Sequence, residues 1–133
     1  MRVRFLGTGT SSGVPVVGCD CETCQSTDSR DRRWRPSIYL ELSDGARVLV
    51  DTTPDFRTQA LTYGITGLDV ILFTHYHADH IMGLDDVRPF NFRQPAAIPL
   101  SGRRVDPGGA APGVCLCVGP VVTPRRRVAT SAS

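Results

Sequence analysis

The stretch Leu68-Asp69-Val70-Ile71-Leu72-Phe73-Thr74 narrows what this chain can fold into more than any other. A nearly continuous apolar run of strand length, bounded by turn residues, suits an interior strand buried on both faces. An interior strand needs partners on either side, and the preceding sequence offers them. Residues 3–6 form a short strand candidate that ends in the glycine-rich turn Gly7-Thr8-Gly9-Thr10-Ser11-Ser12-Gly13. Residues 37–42 alternate as a half-buried strand does, with Ile38, Leu40 and Leu42 on one face. Asp44-Gly45 predicts a type I′ hairpin turn, and residues 46–51 the partner strand. A helix is predicted next, with Thr53 as N-cap, Pro54 at its first position and Asp55 in its first turn. Phe56, Ala60, Leu61 and Tyr63 form its apolar face and Gly64 stops it.

All three histidines of the chain fall within the six residues His75-Tyr76-His77-Ala78-Asp79-His80, directly after the apolar run. A single histidine is ordinarily a surface residue or a satisfied core residue. Three of them with an aspartate at this spacing, on the end of a buried strand, read as a metal site. Imidazole and carboxylate suit zinc, manganese and iron. A strand end followed by a tight loop can turn His75 and His77 toward one ion. Asp79 and His80 then reach a second ion as the chain bends into a helix beginning near Ile81. Two ions about 3.5–4 Å apart polarise a phosphoryl or carbonyl oxygen and generate hydroxide near neutral pH.

The remaining motifs are less specific. Cys19-x-Cys21-x-x-Cys24 is a candidate structural zinc site, with free or loosely buried thiols as the open alternative. A fourth ligand would be needed, and Cys115 or Cys117 are the cysteines left to supply it. Gly7, Gly9 and Gly13 miss the dinucleotide fingerprint by one residue, and no lysine follows for a phosphate loop. They read as a structural turn beneath the metal site. Arg30, Arg32, Arg33 and Arg35 around Trp34 read as a solvated loop before an RNA-binding patch, because the formal net charge is only +2. That low charge gives no reason to expect nucleic acid or a membrane as partner. Arg88 and Asn91 are candidates to contact a phosphate ester, with a salt bridge or cap as the equal alternative. Without an apolar leader or a membrane-length run, and with cysteines that read as ligands or thiols, the expected compartment is the cytoplasm.

Thr74-His75-Tyr76-His77-Ala78-Asp79-His80 followed by Gly83-Leu84 resembles the signature of metallo-β-lactamase-fold hydrolases. Phe5-Leu6-Gly7-Thr8-Gly9-Thr10 and the strand end Val50-Asp51 match that superfamily in order and spacing. Gly13-Val14-Pro15 and Gly18-Cys19-Asp20-Cys21-Glu22-Thr23-Cys24 resemble its cyclic-phosphate phosphodiesterases, as does the segment from Gly83 to Asn91. The resemblance covers residues 1–99. It implies an α/β fold: the N-terminal half of an αββα sandwich, with a mixed sheet and a flanking helix. It implies two divalent ions, zinc or manganese, with His75 and His77 on the first and Asp79 and His80 on the second. Asp79 would also orient or deprotonate the attacking water. Asp51 would be a partner of the histidines and not a ligand, with a turn carboxylate as the equal alternative. The implied activity is a phosphodiesterase acting on a small phosphate ester through metal-activated hydroxide. The family completes its site with two further histidines and a bridging aspartate, and it supplies a fourth ligand to the cysteines from late in the chain. After His80 this chain has no histidine, and Asp106 is the only acid after Asp86. The alternatives are therefore a non-catalytic truncated fragment that at most binds metal, or half of a split enzyme. In the split enzyme a complementing chain would supply the missing histidines; a homodimer is the other partner considered.

From residue 100 the composition changes. Residues 100–133 contain no aromatic residue and no histidine, and glycine and proline make up about a quarter of them. They read as a Gly/Pro/Arg-rich tail, disordered or produced by a frameshifted reading frame, following a partial domain at 1–99.

Overall fold

The computed structural model describes residues 1–94 and 96–102. Five strands form one mixed sheet in the order β1 (Arg2–Gly7), β2 (Ser37–Glu41), β3 (Arg47–Val50), β4 (Val70–Phe73) and β5 (Leu100–Gly102). β1 pairs antiparallel with β2 and β2 antiparallel with β3, while β3, β4 and β5 pair in parallel. Four of the strands, β1, β3, β4 and β5, therefore point the same way and end on one edge of the sheet. The residues that carry the chemistry follow those ends.

The β2–β3 hairpin closes differently from expectation. A type I′ turn needs φ > 0 at both central residues, but of Asp44 and Gly45 only the glycine is left-handed, at φ 89°. The Gly45 N–H donates to the Leu42 carbonyl and the Leu42 N–H to the Ala46 carbonyl. The result is a three-residue loop with glycine in the bulge position. Asp44 contributes through its side chain, which accepts the Ala46 N–H at 3.0 Å.

Among the described residues, helices pack on one face of the sheet and none packs on the other. Helices α2 (Phe56–Tyr63) and α4 (Arg88–Arg93) lie over the first face. There Leu6, Leu49 and Ile71 pack with Phe56, Leu68, Val87 and Phe90. The buried side of α2 is Phe56, Gln59, Ala60 and Tyr63, a spacing of three, four and seven. Leu61, expected on that side, is 67% exposed. Its place is taken by Gln59, fully buried, whose Nε2 donates to the Arg35 carbonyl at 2.9 Å. The helix starts at Phe56, because the Thr53 hydroxyl accepts the Asp55 N–H and keeps residues 53–55 in a turn. Gly64 ends it at φ 64° as predicted.

On the other face, registration places Val3 and Phe5 beside Leu40 and Ile38, then Val48 and Val50, then Val70 and Leu72. Phe5 is 59% exposed, Val3 45% and Leu72 38%. β4 is thus interior in strand order, as predicted, but buried on one face only. For the same reason the buried side of β2 is Ser37 and Tyr39, and not the Ile38–Leu40 side. The Tyr39 hydroxyl donates to the Gly67 carbonyl at 3.1 Å, and burial raises its pKa. β5 carries the sheet to Gly102, three residues past the boundary expected at 99. The rest of the expected tail, with Asp106, Cys115 and Cys117, lies outside the described residues. Among the described residues no helix is long and apolar enough to cross a membrane.

Candidate metal centre

The chain leaves β4 at Phe73, bends at Thr74, is extended at His77, and turns once as α3 (Ala78–Ile81). This helix starts three residues before the expected Ile81, so Asp79 and His80 stand within its single turn. The turn is closed by His80 N–H to the His77 carbonyl (2.9 Å) and Met82 N–H to the Ala78 carbonyl (3.0 Å). The cluster predicted from sequence is brought together. His75 Nε2 lies 3.2 Å from His77 Nδ1, and His80 Nε2 lies 3.3 Å from an Asp79 carboxylate oxygen. Two ligands about 2.0–2.1 Å from one tetrahedral ion are separated by about 3.3 Å, so both pairs have the spacing of donors that share an ion. Among the described residues, no three of these donors converge within 4.8 Å of one another. The arrangement is therefore two pairs of donors. Its rings are close, with His75 and His80 centroids 4.0 Å apart.

Asp51 organises the cluster from below. It is 4% exposed and sits at φ 62°, where an L-residue is strained and aspartate is among the better-tolerated types. One carboxylate oxygen accepts the Thr74 N–H at 2.9 Å. The other accepts the Thr74 hydroxyl at 2.8 Å and faces His80 Nδ1 at 2.8 Å. A proton held on Nδ1 by this carboxylate leaves His80 Nε2 with its lone pair directed toward Asp79. Thr74 extends the contact, with its hydroxyl 3.0 Å from His75 Nδ1. Sequence reasoning missed Thr74 as a positioning residue, and also buried Thr52. The Thr52 N–H donates to the His80 carbonyl (2.8 Å) and its hydroxyl to the Ile81 carbonyl (3.2 Å). The signal for both was only that a threonine follows each apolar strand end. Gly83 completes the support: its N–H donates to the Thr52 carbonyl, and a Cβ there would collide with the Thr53 carbonyl oxygen.

The other candidate residues lie in separate places. Arg88 forms an exposed ion pair with Asp85, and the Asn91 side chain accepts the Ile98 N–H at 3.1 Å, so both are engaged locally. The thiols of Cys19, Cys21 and Cys24, around α1 (Glu22–Gln25), lie within 4.8 Å of one another. The Cys24 N–H, then the Cys19 and Cys24 thiols, lower the pKa of Cys21. Cys24 moves up on balance: the Val16 N–H pulls it down, but the Cys19 thiol and burial outweigh that. Three sulfur atoms this close can face one cation, and thiolate sets suit zinc.

Comparison with known proteins agrees with this architecture. A sequence model of the beta-lactamase superfamily domain matches residues 46–108. A diphosphatase of the PhnP family, known as a crystal structure, superposes with a TM-score of 0.70 at 56% identity, covering 74% of this chain and 39% of that one. Zinc-bound PqqB from Methylobacterium extorquens gives a TM-score of 0.59 at 19% identity, a likeness of fold, over 79% of this chain and 46% of that one. An octanoyltransferase of Porphyromonas gingivalis is 49% identical over 98 residues, 74% of this chain but 20% of that protein. Residues 46–108 thus match the beta-lactamase superfamily domain, and the described part of the chain has the metallo-β-lactamase fold. Within that class it shares more than half of its aligned residues with a PhnP-family diphosphatase, whose length it spans by 39%.

Proposed function

We propose that this chain carries one side of a two-metal phosphodiesterase centre, with zinc or manganese as the ions. The observation that carries the reading is the pair of ligand-spaced contacts, His75 with His77 and Asp79 with His80, on a loop anchored by Asp51. Bound there, two divalent ions would supply Lewis-acid polarisation of a phosphoryl oxygen and a more acidic water. The protein's own contributions are positional. Asp51 fixes the tautomer and ring orientation of His80, Thr74 ties that carboxylate to His75, and Asp79 is the base placed to orient the attacking water. The three cysteines would hold a separate structural zinc. The acyl transfer named for the P. gingivalis relative is not carried over, since the chain matches one fifth of that protein. The test is hydrolysis of bis-p-nitrophenyl phosphate with zinc or manganese added. His77→Ala should lower the rate about 100-fold or more, and activity that survives it rules the mechanism out.

A second reading rests on the donor count. All three histidines of the chain are already committed, which leaves two donors for each ion. On this reading the chain binds metal without turning over substrate, or acts only when another chain completes the site. Two metal equivalents by plasma mass spectrometry without hydrolysis would favour it over the first.

A further inference from the structure

The four arginines at 30–35 are not equivalent. Arg30 is paired with Asp28, and Arg35 is bound to Asp55 at 3.0 Å and to the Ser11 carbonyl at 2.8 Å. Arg32 and Arg33 are exposed, and among the described residues neither guanidinium has an ion pair or hydrogen bond. Together with Trp34 they line a groove of about 640 Å³ that also takes in Thr8, Ser12 and Tyr63. Since Arg35 neutralises Asp55, the groove keeps the positive charge of Arg32 and Arg33.

The wall of this groove is fixed by backbone bonds. Gly9 N–H donates to the Trp34 carbonyl, and Val14 and Arg33 exchange N–H to carbonyl bonds, each at 2.8 Å. The approach is close because Gly7 and Gly9 have no Cβ, which would collide with the carbonyls of Arg33, Trp34 and Arg35. The Gly9, Gly13 and Val14 amides are engaged by the carbonyls of Trp34, Thr10 and Arg33. Anion recognition falls instead to the two guanidiniums and the Thr8 and Ser12 hydroxyls. The groove opens where β1 ends, on the same sheet edge as the histidine cluster that follows β4. Three strand spacings, roughly 14 Å, separate the ends of β1 and β4.

We propose that this groove binds the nucleoside-phosphate portion of an elongated phosphodiester whose scissile phosphate reaches the histidines. Arg32 and Arg33 take the remote phosphate through charge-assisted hydrogen bonds, and Trp34 supplies an aromatic surface for the base. The span to the histidines rests on the hydrolase reading, whereas occupation of the groove does not.

Trp34 is the only tryptophan in the chain, so its fluorescence reports on the groove directly. The full 133-residue chain, with chelator present, is titrated with adenosine diphosphate. A saturable change in Trp34 emission is expected, together with binding at least about tenfold weaker for adenosine or inorganic phosphate alone. Replacing both arginines, Arg32→Gln with Arg33→Gln, should weaken binding by about tenfold or more. The Arg32→Lys with Arg33→Lys pair should retain part of it, and His77→Ala should leave it unchanged. The proposal is overturned if emission does not saturate, if the glutamine pair binds as tightly as the parent, or if inorganic phosphate matches the diphosphate. Weaker binding in His77→Ala would place the nucleotide on the histidines and overturn it as well. Loss of phosphodiester turnover leaves the titration untouched, so the two readings fail separately.

Discussion

Asp51 joins a strained backbone to a buried carboxylate with three partners, and its role can be tested apart from the ligands it supports. Asp51→Ala removes the acceptor for Thr74 and the partner of His80 at once. Metal affinity should fall about 10–100-fold, as for other partners of ligating histidines; competition with a chromophoric chelator would measure it. Asp51→Asn keeps an acceptor for the Thr74 N–H but turns a donor toward His80 Nδ1, so it should keep the fold and lose affinity about as far as Asp51→Ala. A mere turn carboxylate would change stability but not affinity. Elsewhere, Arg47 lowers the pKa of Asp69 through side-chain hydrogen bonds at 2.9 Å. Its carboxylate should titrate below the ordinary aspartate value of about 3.9, which carbon-detected NMR would read. Because the folded value is the lower one, the stabilisation is present above the unfolded value and is lost as pH falls through the folded one. With the two side chains 35% and 40% exposed, the effect on stability is small.

At the scale of elements, the function of the site depends on how α3 is held against the residues after β3. Gly83 makes that approach possible. Gly83→Ala should destabilise the fold by about 2–4 kcal/mol, since the methyl group meets backbone that cannot give way. Urea unfolding would measure it, and a loss under about 0.5 kcal/mol would mean that α3 is free to move. The face assigned to α2 makes a paired prediction. Leu61→Ala should change stability by less than about 0.5 kcal/mol, and Phe56→Ala by about 3–5 kcal/mol. Equal losses at the two positions would restore the apolar face expected from the sequence. That expectation failed because hydropathy ranks leucine above glutamine, whereas Gln59 is buried by the hydrogen bonds it makes to Arg35 and Thr53.

At the scale of the whole molecule, the dominant feature among the described residues is the sheet face on which no helix packs. Val3, Phe5 and Leu72 belong to a continuous apolar surface of the kind that soluble monomers rarely expose. The chain should bind a hydrophobic dye such as anilinonaphthalene sulfonate, and Phe5→Lys with Leu72→Lys should suppress that binding without lowering the thermal midpoint. A fall in the midpoint would mean that these side chains are packed. The PhnP-family structure, of which the chain spans 39%, has the same fold over the shared part.

Local chemistry was legible in the residues themselves. The histidine–aspartate spacing, the strand before it and the glycine stop of α2 each follow from neighbours in the chain, and the structure has the strand at Val70–Phe73 and Gly64 at the helix end. Asp51 was legible as a partner of the histidines only through resemblance. Its contacts with Thr74 and His80 join residues more than twenty positions apart, which no periodicity encodes. The tertiary structure alone decided which face of each strand is buried. Alternation marks two faces, but only the side on which α2 and α4 pack tells which one leaves water. It also decided that Arg35 is bound while Arg32 and Arg33 have no partner among the described residues, because Asp55, twenty positions away, is brought to Arg35 by folding, whereas Arg30 finds Asp28 two residues before it.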